Sequence, residues 1–117
     1  MLIPVLHSKI HRATVTDACL DYEGSLTIDK QLIELAGLKQ YQQIQVYNIR
    51  NGERFETYVI EGEANTGIIQ VNGAAAHKAY TGDLIIIAAY VHMSEQEFDA
   101  WTPKKVFLDR QNRPLLV

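Results

Sequence analysis

Four places in this 117-residue sequence carry side chains able to do chemistry: Lys9 with His11, the Gly24-Ser25 pair, Arg54 with Thr57 and Tyr58, and Asn72-Gly73. A serine hydroxyl is a nucleophile once it is activated, and a guanidinium is a planar fork suited to a carboxylate. Taken singly, each place also has an ordinary reading. Gly-Ser is a common turn dipeptide, Lys9 and Arg54 serve as solvated charges, and Tyr58 serves as a tyrosine at the edge of a core. His77 and His92 lack spaced partners for a metal. Cys19, the single cysteine, reads as a small buried apolar residue rather than a nucleophile. No phosphate-binding glycine-rich loop is present, which leaves a nucleotide cofactor unsupported.

Short β segments separated by turns must position these residues. His7, Lys9 and His11 alternate with Leu6, Ser8 and Ile10, which puts two histidines and a lysine on one face of an extended strand. Asp21–Ser25 reads as a turn, and Leu26–Ile28 resumes a strand. Asp29 is the expected N-cap of a short helix with Leu32, Ile33 and Ala36 inward, stopped by Gly37. Ile44–Ile49 and Arg54–Ile60 are strands joined at Asn51-Gly52, a pair expected to take positive φ at both residues. On the returning strand Arg54, Glu56 and Tyr58 share a face. A turn over Gly62–Gly67 precedes the strand Ile68–Val71, and Asn72–Ala76 opens one helical turn. Gly82-Asp83 introduces Leu84–Val91, apolar enough to be buried on both faces. Ser94 with Glu97 predicts a capping box, and Val106–Leu108 a last strand.

Composition narrows the class. Hydrophobic residues make up 47% and charged residues 21%, ordinary for one globular domain of this length. One cysteine excludes an internal disulfide and a cysteine-based zinc site. Met1–Val5, followed by His7, Lys9 and His11, does not read as a signal peptide, and Leu84–Val91 is too short for a transmembrane helix. The expectation is therefore a cytoplasmic protein with no membrane partner. A net charge of −3 argues against a general nucleic-acid binder.

The combination of motifs says more than any one of them. Lys9-Ile10-His11-Arg12, Tyr22-Glu23-Gly24-Ser25, Asn51-Gly52-Glu53-Arg54-Phe55 with Thr57-Tyr58, and Val71-Asn72-Gly73-Ala74-Ala75-Ala76-His77 together resemble the aspartate 1-decarboxylase family. The likeness runs from about Leu6 to about Trp101 and takes in the Gly82-Asp83 turn and the apolar strand after it; the tail from Pro103 carries no diagnostic residue. The resemblance implies a mainly β chain, a small double-psi β-barrel with a few short helices, assembled as a homotetramer with active sites between subunits. It implies self-cleavage of a single domain, residues 1–117, into 1–24 (the β chain) and 25–117 (the α chain). Ser25 attacks the Gly24 carbonyl and becomes a covalently bound pyruvoyl group, with no pyridoxal phosphate and no metal. The residue types suit that route, because glycine tolerates a strained, uncrowded scissile bond. Thr57 is the position that hydrogen-bonds the scissile carbonyl. L-Aspartate then joins the pyruvoyl carbon as a Schiff base, and the carbonyl takes up the electron pair left by carbon dioxide.

In the same resemblance Arg54 holds substrate with Lys9 beside it, and Tyr58 donates the proton. Thr57, Asn72, Gly73, Ala74 and Ala75 line the substrate, with His11, Tyr22 and Tyr47 in a supporting ring. The product, β-alanine, feeds pantothenate and coenzyme A synthesis. Two points strain the mapping. Strand alternation puts Thr57 and Tyr58 on opposite faces unless a bulge or a subunit interface intervenes, and Tyr47 stands where some members carry tryptophan. Two other readings compete: a non-catalytic double-psi barrel that only binds, since one fold hosts many functions, and a paralogue acting on another small amino diacid. The sequence leaves open whether maturation is spontaneous or needs a helper protein.

Overall fold

The computed structural model describes residues 1–116; Val117, the last residue of the expected larger fragment, lies outside the described residues. The strands are β1 (Leu2–Thr14), β2 (Asp17–Cys19), β3 (Ser25–Asp29), β4 (Gln43–Asn48), β5 (Arg54–Gly62), β6 (Ile69–Asn72), β7 (Leu84–Ser94) and β8 (Lys104–Phe107). Two short helices, α1 (Lys30–Ala36) and α2 (Glu95–Asp99), and a 3₁₀ turn over Gly73–His77 complete the chain. The expected mainly β class with a few short helices holds.

The strands hydrogen-bond in the order β2-β6-β3-β5-β4-β7-β1-β8. Twice, later strands straddle an earlier one. β3 lies between β5, to which it is parallel, and β6, to which it is antiparallel. β1 lies in the same way between antiparallel β7 and parallel β8. Each is a psi arrangement, and the pair makes the double-psi topology. Closure follows from chain length. β1 and β2 stand near opposite ends of the strand order, yet only Val15 and Thr16 separate them. Two residues span at most about 7 Å, so the sheet must curl until the end of β1 meets β6. There Thr16 N–H donates to the Ile69 carbonyl at 2.8 Å, and Ile69 N–H donates to Thr16 Oγ1 at 3.0 Å.

Alternation explains the core. Ile10, Leu26, Ile28, Ile44, Val46, Val59, Ile69, Val71, Ile85 and Ile87 turn inward and are buried, joined by Leu32, Ile33 and Ala36 of α1. Asp29 caps α1 through Gln31 N–H at 2.8 Å and also accepts from Asn65 and Gly67 N–H, both at 2.9 Å. Gly37 ends the helix in the left-handed region, and the Ser94–Glu97 capping box forms on α2. Three local readings are corrected. The Asn51-Gly52 turn has positive φ at Gly52 alone; Gly52 N–H reaches back to the Asn48 carbonyl and makes a longer loop than a two-residue hairpin. β7 runs on past Val91 to Ser94, because its partner β1 extends to Leu2. Cys19 is half-buried rather than buried.

At the far end of the β4–β5 hairpin, Asp83 ties three segments together. It accepts from Arg50 Nε at 2.6 Å and Nη2 at 3.1 Å, from Asn48 Nδ2 at 2.9 Å and from Tyr80 N–H at 2.9 Å. The Arg50 guanidinium, then the Tyr80 N–H and the Asn48 amide, hold its carboxyl at about 2 against the opposing effect of burial. A carboxyl whose folded-state pKa lies below its unfolded value stabilises the fold above the unfolded pKa, and that stability is lost as pH falls through the folded one. Urea midpoints should therefore fall between about pH 4 and pH 2, and Asp83→Asn should flatten that part of the profile; an unchanged slope in the variant would dissociate Asp83 from it. No helix among the described residues is long and apolar enough to cross a membrane.

Candidate functional site

The turn over Asp21–Gly24 delivers Ser25 to the first position of β3, opposite Asn72 at the end of β6. Directly opposed residues share a face. Asn72 Nδ2 accordingly donates to Ser25 Oγ and to Thr27 Oγ1, both at 3.0 Å. Gln70 Nε2 donates to Asn72 Oδ1 at 2.7 Å and fixes which way that amide points. Ser25 Oγ in turn donates to the Glu23 carbonyl at 3.1 Å. Ser25 and Asn72 are buried, at 1% and 0% exposure, so the hydroxyl is held in one orientation away from bulk water.

The backbone requirement for glycine falls at Gly73 rather than at Gly24. Gly73 has φ +70°, and a Cβ there would stand 2.7 Å from Gly24 Cα and 2.8 Å from Gly24 N. No side chain fits in that gap. Gly24 lies outside the left-handed region, and a Cβ on it would meet nothing within 4 Å. The expected uncrowded scissile position is present, but the expected strain at Gly24 is not. The Gly73–His77 turn thus packs its first residue against the N and Cα of Gly24, with Ala74 exposed and Ala75 half-buried beside it. Tyr22 is exposed, and its carbonyl rather than its ring faces Gly73.

β5 runs parallel to β3 with Leu26 paired to Val59. One residue earlier on each strand stand Ser25 and Tyr58, and one earlier again Gly24 and Thr57. Asn72, Ser25 and Tyr58 therefore form a row across three strands on the outer face, and Thr57 shares the inner face with Val59. The β4–β5 register runs from Gln43↔Tyr58 to Tyr47↔Arg54 without a shift. No bulge reconciles Thr57 with Tyr58; within one chain they stay on opposite faces.

Lys9, His11, Tyr47 and Arg54 gather elsewhere on the outer face. Arg54 pairs with Tyr47, Tyr47 with Ile86, and Ile86 with His11, a row across β5, β4, β7 and β1. Lys9 belongs to the next row, through Ala88 and Gln45 to Glu56. The Arg54 guanidinium carbon sits 3.9 Å from the centre of the Tyr47 ring, a cation–π contact. The Tyr47 hydroxyl lies 3.2 Å from that of Tyr90. Burial and that hydrogen bond push the Tyr47 phenol above its ordinary value and keep it neutral. His11 packs edge-on against Phe107 and has a buried Nδ1 without a partner. Burial, then the charges of Lys9 and Arg12, lower its pKa, so it is neutral at pH 7. A register shift between Leu6 and Ser8 in the β1–β7 pairing interrupts the expected alternation at His7, which stacks on Trp101 with ring centres 5.0 Å apart.

The chain thus divides the expected site into two groups. Gly24, Ser25, Asn72, Gly73 and Tyr58 form one; Lys9, His11, Tyr47 and Arg54 form the other. Arg54 precedes Tyr58 by four residues on β5, about 13 Å of strand, and Glu56 between them is held by Gln45 at 2.8 Å and Gln43 at 3.1 Å. Among the described residues no hydrogen bond or ion pair joins the two groups. Sequence reading missed Thr27 and Gln70, which hold the amide of Asn72. Their two-residue spacing from Ser25 and Asn72 was the signal, because strand alternation puts each on its neighbour's face. Tyr90 was missed as well, and no local pattern marks it.

Comparison with known proteins bears on what this arrangement does. A family model described as aspartate decarboxylase matches residues 1–115. Aspartate 1-decarboxylase of Hydrogenovibrio crunogenus is 55% identical over 97% of this chain and 88% of its own length. The enzyme of the same name from Albidiferax ferrireducens is 56% identical over 97% of the chain and 84% of its own length. That from Caldicellulosiruptor saccharolyticus is 55% identical over 97% and 88%. A rationally designed protein of known structure aligns with 78% of the chain at 16% identity and a TM-score of 0.48.

Proposed function

Since the chain belongs to the aspartate decarboxylase family, we propose that it matures at its own Ser25 and converts L-aspartate to β-alanine and carbon dioxide for pantothenate and coenzyme A synthesis. The observation that carries this reading is the buried Ser25 hydroxyl, held by Asn72 next to a Gly24 whose N and Cα are closely approached by Gly73. Together with the family membership, that placement supports Ser25 as the self-processing nucleophile.

In maturation Ser25 Oγ adds to the Gly24 carbonyl carbon. The C–O bond forms as the peptide C–N bond breaks, and the hydroxyl proton passes to the freed amine. Elimination at Ser25 expels the Gly24 carboxylate, and hydrolysis releases ammonia and leaves a ketone at the new N-terminus of the 25–117 fragment. Asn72 orients Oγ, and Thr57, level with Gly24 in the strand register, is assigned to the scissile carbonyl. The residues fit a pyruvoyl group at position 25. Asn72 supplies a donor already aimed at that position, and neither pyridoxal phosphate nor a metal is required. Once formed, the group supplies an electron sink for the pair released with carbon dioxide.

The chain's own residues do the rest. Arg54, with Lys9 adding positive charge, holds a carboxylate of aspartate in an otherwise acidic protein. Tyr58, on the outer-face row of Ser25, protonates the carbanion carbon. Asn72 and the backbone of Gly73, Ala74 and Ala75 line the substrate. Because the carboxylate-holding group stands apart from Ser25 on one chain, the reading includes a homotetramer in which one protomer's Arg54 group meets its partner's Ser25. A maturation factor is a further partner compatible with so enclosed a serine, and a cytoplasmic site of action accommodates the unpaired Cys19.

Intact mass of the purified protein should show fragments 1–24 and 25–117, the larger blocked at its N-terminus and shifted in mass by borohydride or hydrazine. Light scattering on the same sample should give a tetramer. A chain that stays whole after prolonged warming, with or without candidate maturation factors, or a monomer at micromolar concentration, contradicts the reading.

A further inference from the structure

Tyr90 has no role assigned by the family likeness, yet its hydroxyl meets that of Tyr47 in the carboxylate-holding group. On the outer face, Tyr47 and Tyr90 lean toward each other along neighbouring strands, and their hydroxyls meet at 3.2 Å. Between them lies Ala88, which pairs with Gln45 of β4 on one side and Lys9 of β1 on the other. A small residue at position 88 leaves the two rings room to meet tip to tip. Tyr90 and Ala88, with Gln43 and Gln45, line a cavity of about 180 Å³. The Arg54 guanidinium rests on the Tyr47 ring.

The consequence is mechanical. Arg54 is exposed and has no carboxylate partner among the described residues, so the Tyr47 ring is what its guanidinium packs on. A tyrosine ring pinned only at Cβ swings about χ1 and χ2. A second attachment at its hydroxyl, which lies on the χ2 axis, restrains the χ1 swing and so fixes where the ring sits beneath the guanidinium. We propose that Tyr90 is a positioning residue for substrate binding: its hydroxyl fixes Tyr47, and Tyr47 presents Arg54 to a carboxylate of aspartate. The proposal rests on the reading of Arg54 as the group that holds that carboxylate. Tyr90 touches neither Arg54 nor the reacting atoms; its effect is preorganisation of a bidentate donor.

Tyr90→Phe removes one hydroxyl, keeps the ring, and should leave the thermal midpoint and cleavage at Gly24-Ser25 unchanged. Steady-state kinetics of the cleaved protein should show KM for L-aspartate raised about 3- to 10-fold, the range set by one hydrogen bond, with kcat within about twofold. Tyr47→Phe should raise KM by a similar factor, and the double variant no further than either alone. On an Arg54→Ala background, Tyr90→Phe should change nothing more. If Arg54→Ala raises KM while Tyr90→Phe leaves it untouched, or if the two effects multiply, the role of Tyr90 is overturned and that of Arg54 stands. An unchanged KM in Arg54→Ala overturns the carboxylate reading, and the proposal with it.

Discussion

Ser25→Ala is expected to yield a chain that is never cut after Gly24 and makes β-alanine at no more than background rate. Alanine has no oxygen to add to the Gly24 carbonyl, and no precursor of a ketone at position 25. The fold should survive. Asn72 Nδ2 keeps Thr27 Oγ1 as an acceptor at 3.0 Å, so its amide is not orphaned, and the two lost bonds, to Asn72 and to the Glu23 carbonyl, together contribute about 1–2 kcal/mol. For a domain of this size that lowers the thermal midpoint by roughly 4–8 °C. Mass spectrometry of the purified variant and an assay for β-alanine read both outcomes from one preparation. Any β-alanine above background from the uncut variant would refute the proposed chemistry, because no other residue stands in for the hydroxyl at that bond.

Tyr58→Phe should separate maturation from turnover. Tyr58 is half-buried on the outer-face row of Asn72 and Ser25. Self-cleavage uses the Ser25 hydroxyl and a donor to the Gly24 carbonyl, neither of which is the phenol. Decarboxylation leaves a carbanion that must gain a proton, and a phenol held close can deliver one although it is a weak acid. Loss of a positioned general acid typically slows a reaction about 10²–10⁴-fold. The Phe variant is therefore expected to contain both fragments in normal ratio and to keep its KM, while kcat falls by that factor. Full cleavage with near-normal kcat would take Tyr58 out of the proton step and leave Lys9 or an ordered water to supply it.

Features decided by neighbours in the chain were legible in the sequence. The Asp29 cap, Gly37 stop and Ser94–Glu97 box all formed as expected, because each depends on hydrogen bonds spanning only a few residues. The Asn51-Gly52 turn shows where such reasoning thins: an interaction between Gly52 N–H and the Asn48 carbonyl selected a longer loop than the dipeptide alone suggests. The motif match placed the chemistry at Ser25, and family comparison agrees with the activity it implied.

Tertiary structure decided what no stretch of sequence contains. Asn72 reaches Ser25 across 47 positions, which depends on β6 and β3 pairing in one register; a slip of a single residue would turn that amide to the other face. The same pairing moved the demand for glycine from Gly24 to Gly73, because the crowding comes from a backbone approaching from elsewhere in the chain. Barrel order put Arg54, Tyr47, His11 and Lys9 together on β5, β4 and β1 yet kept them away from Ser25, although the motifs alone point to one site for all of them. It also brought Tyr90 of β7 to Tyr47 across 43 positions. Sequence determines which residues are capable of chemistry and how short segments start and stop. Which of them meet is set by strand register and closure, where loop entropy is overcome by burying the apolar faces of β3, β5, β6 and β7 against one core.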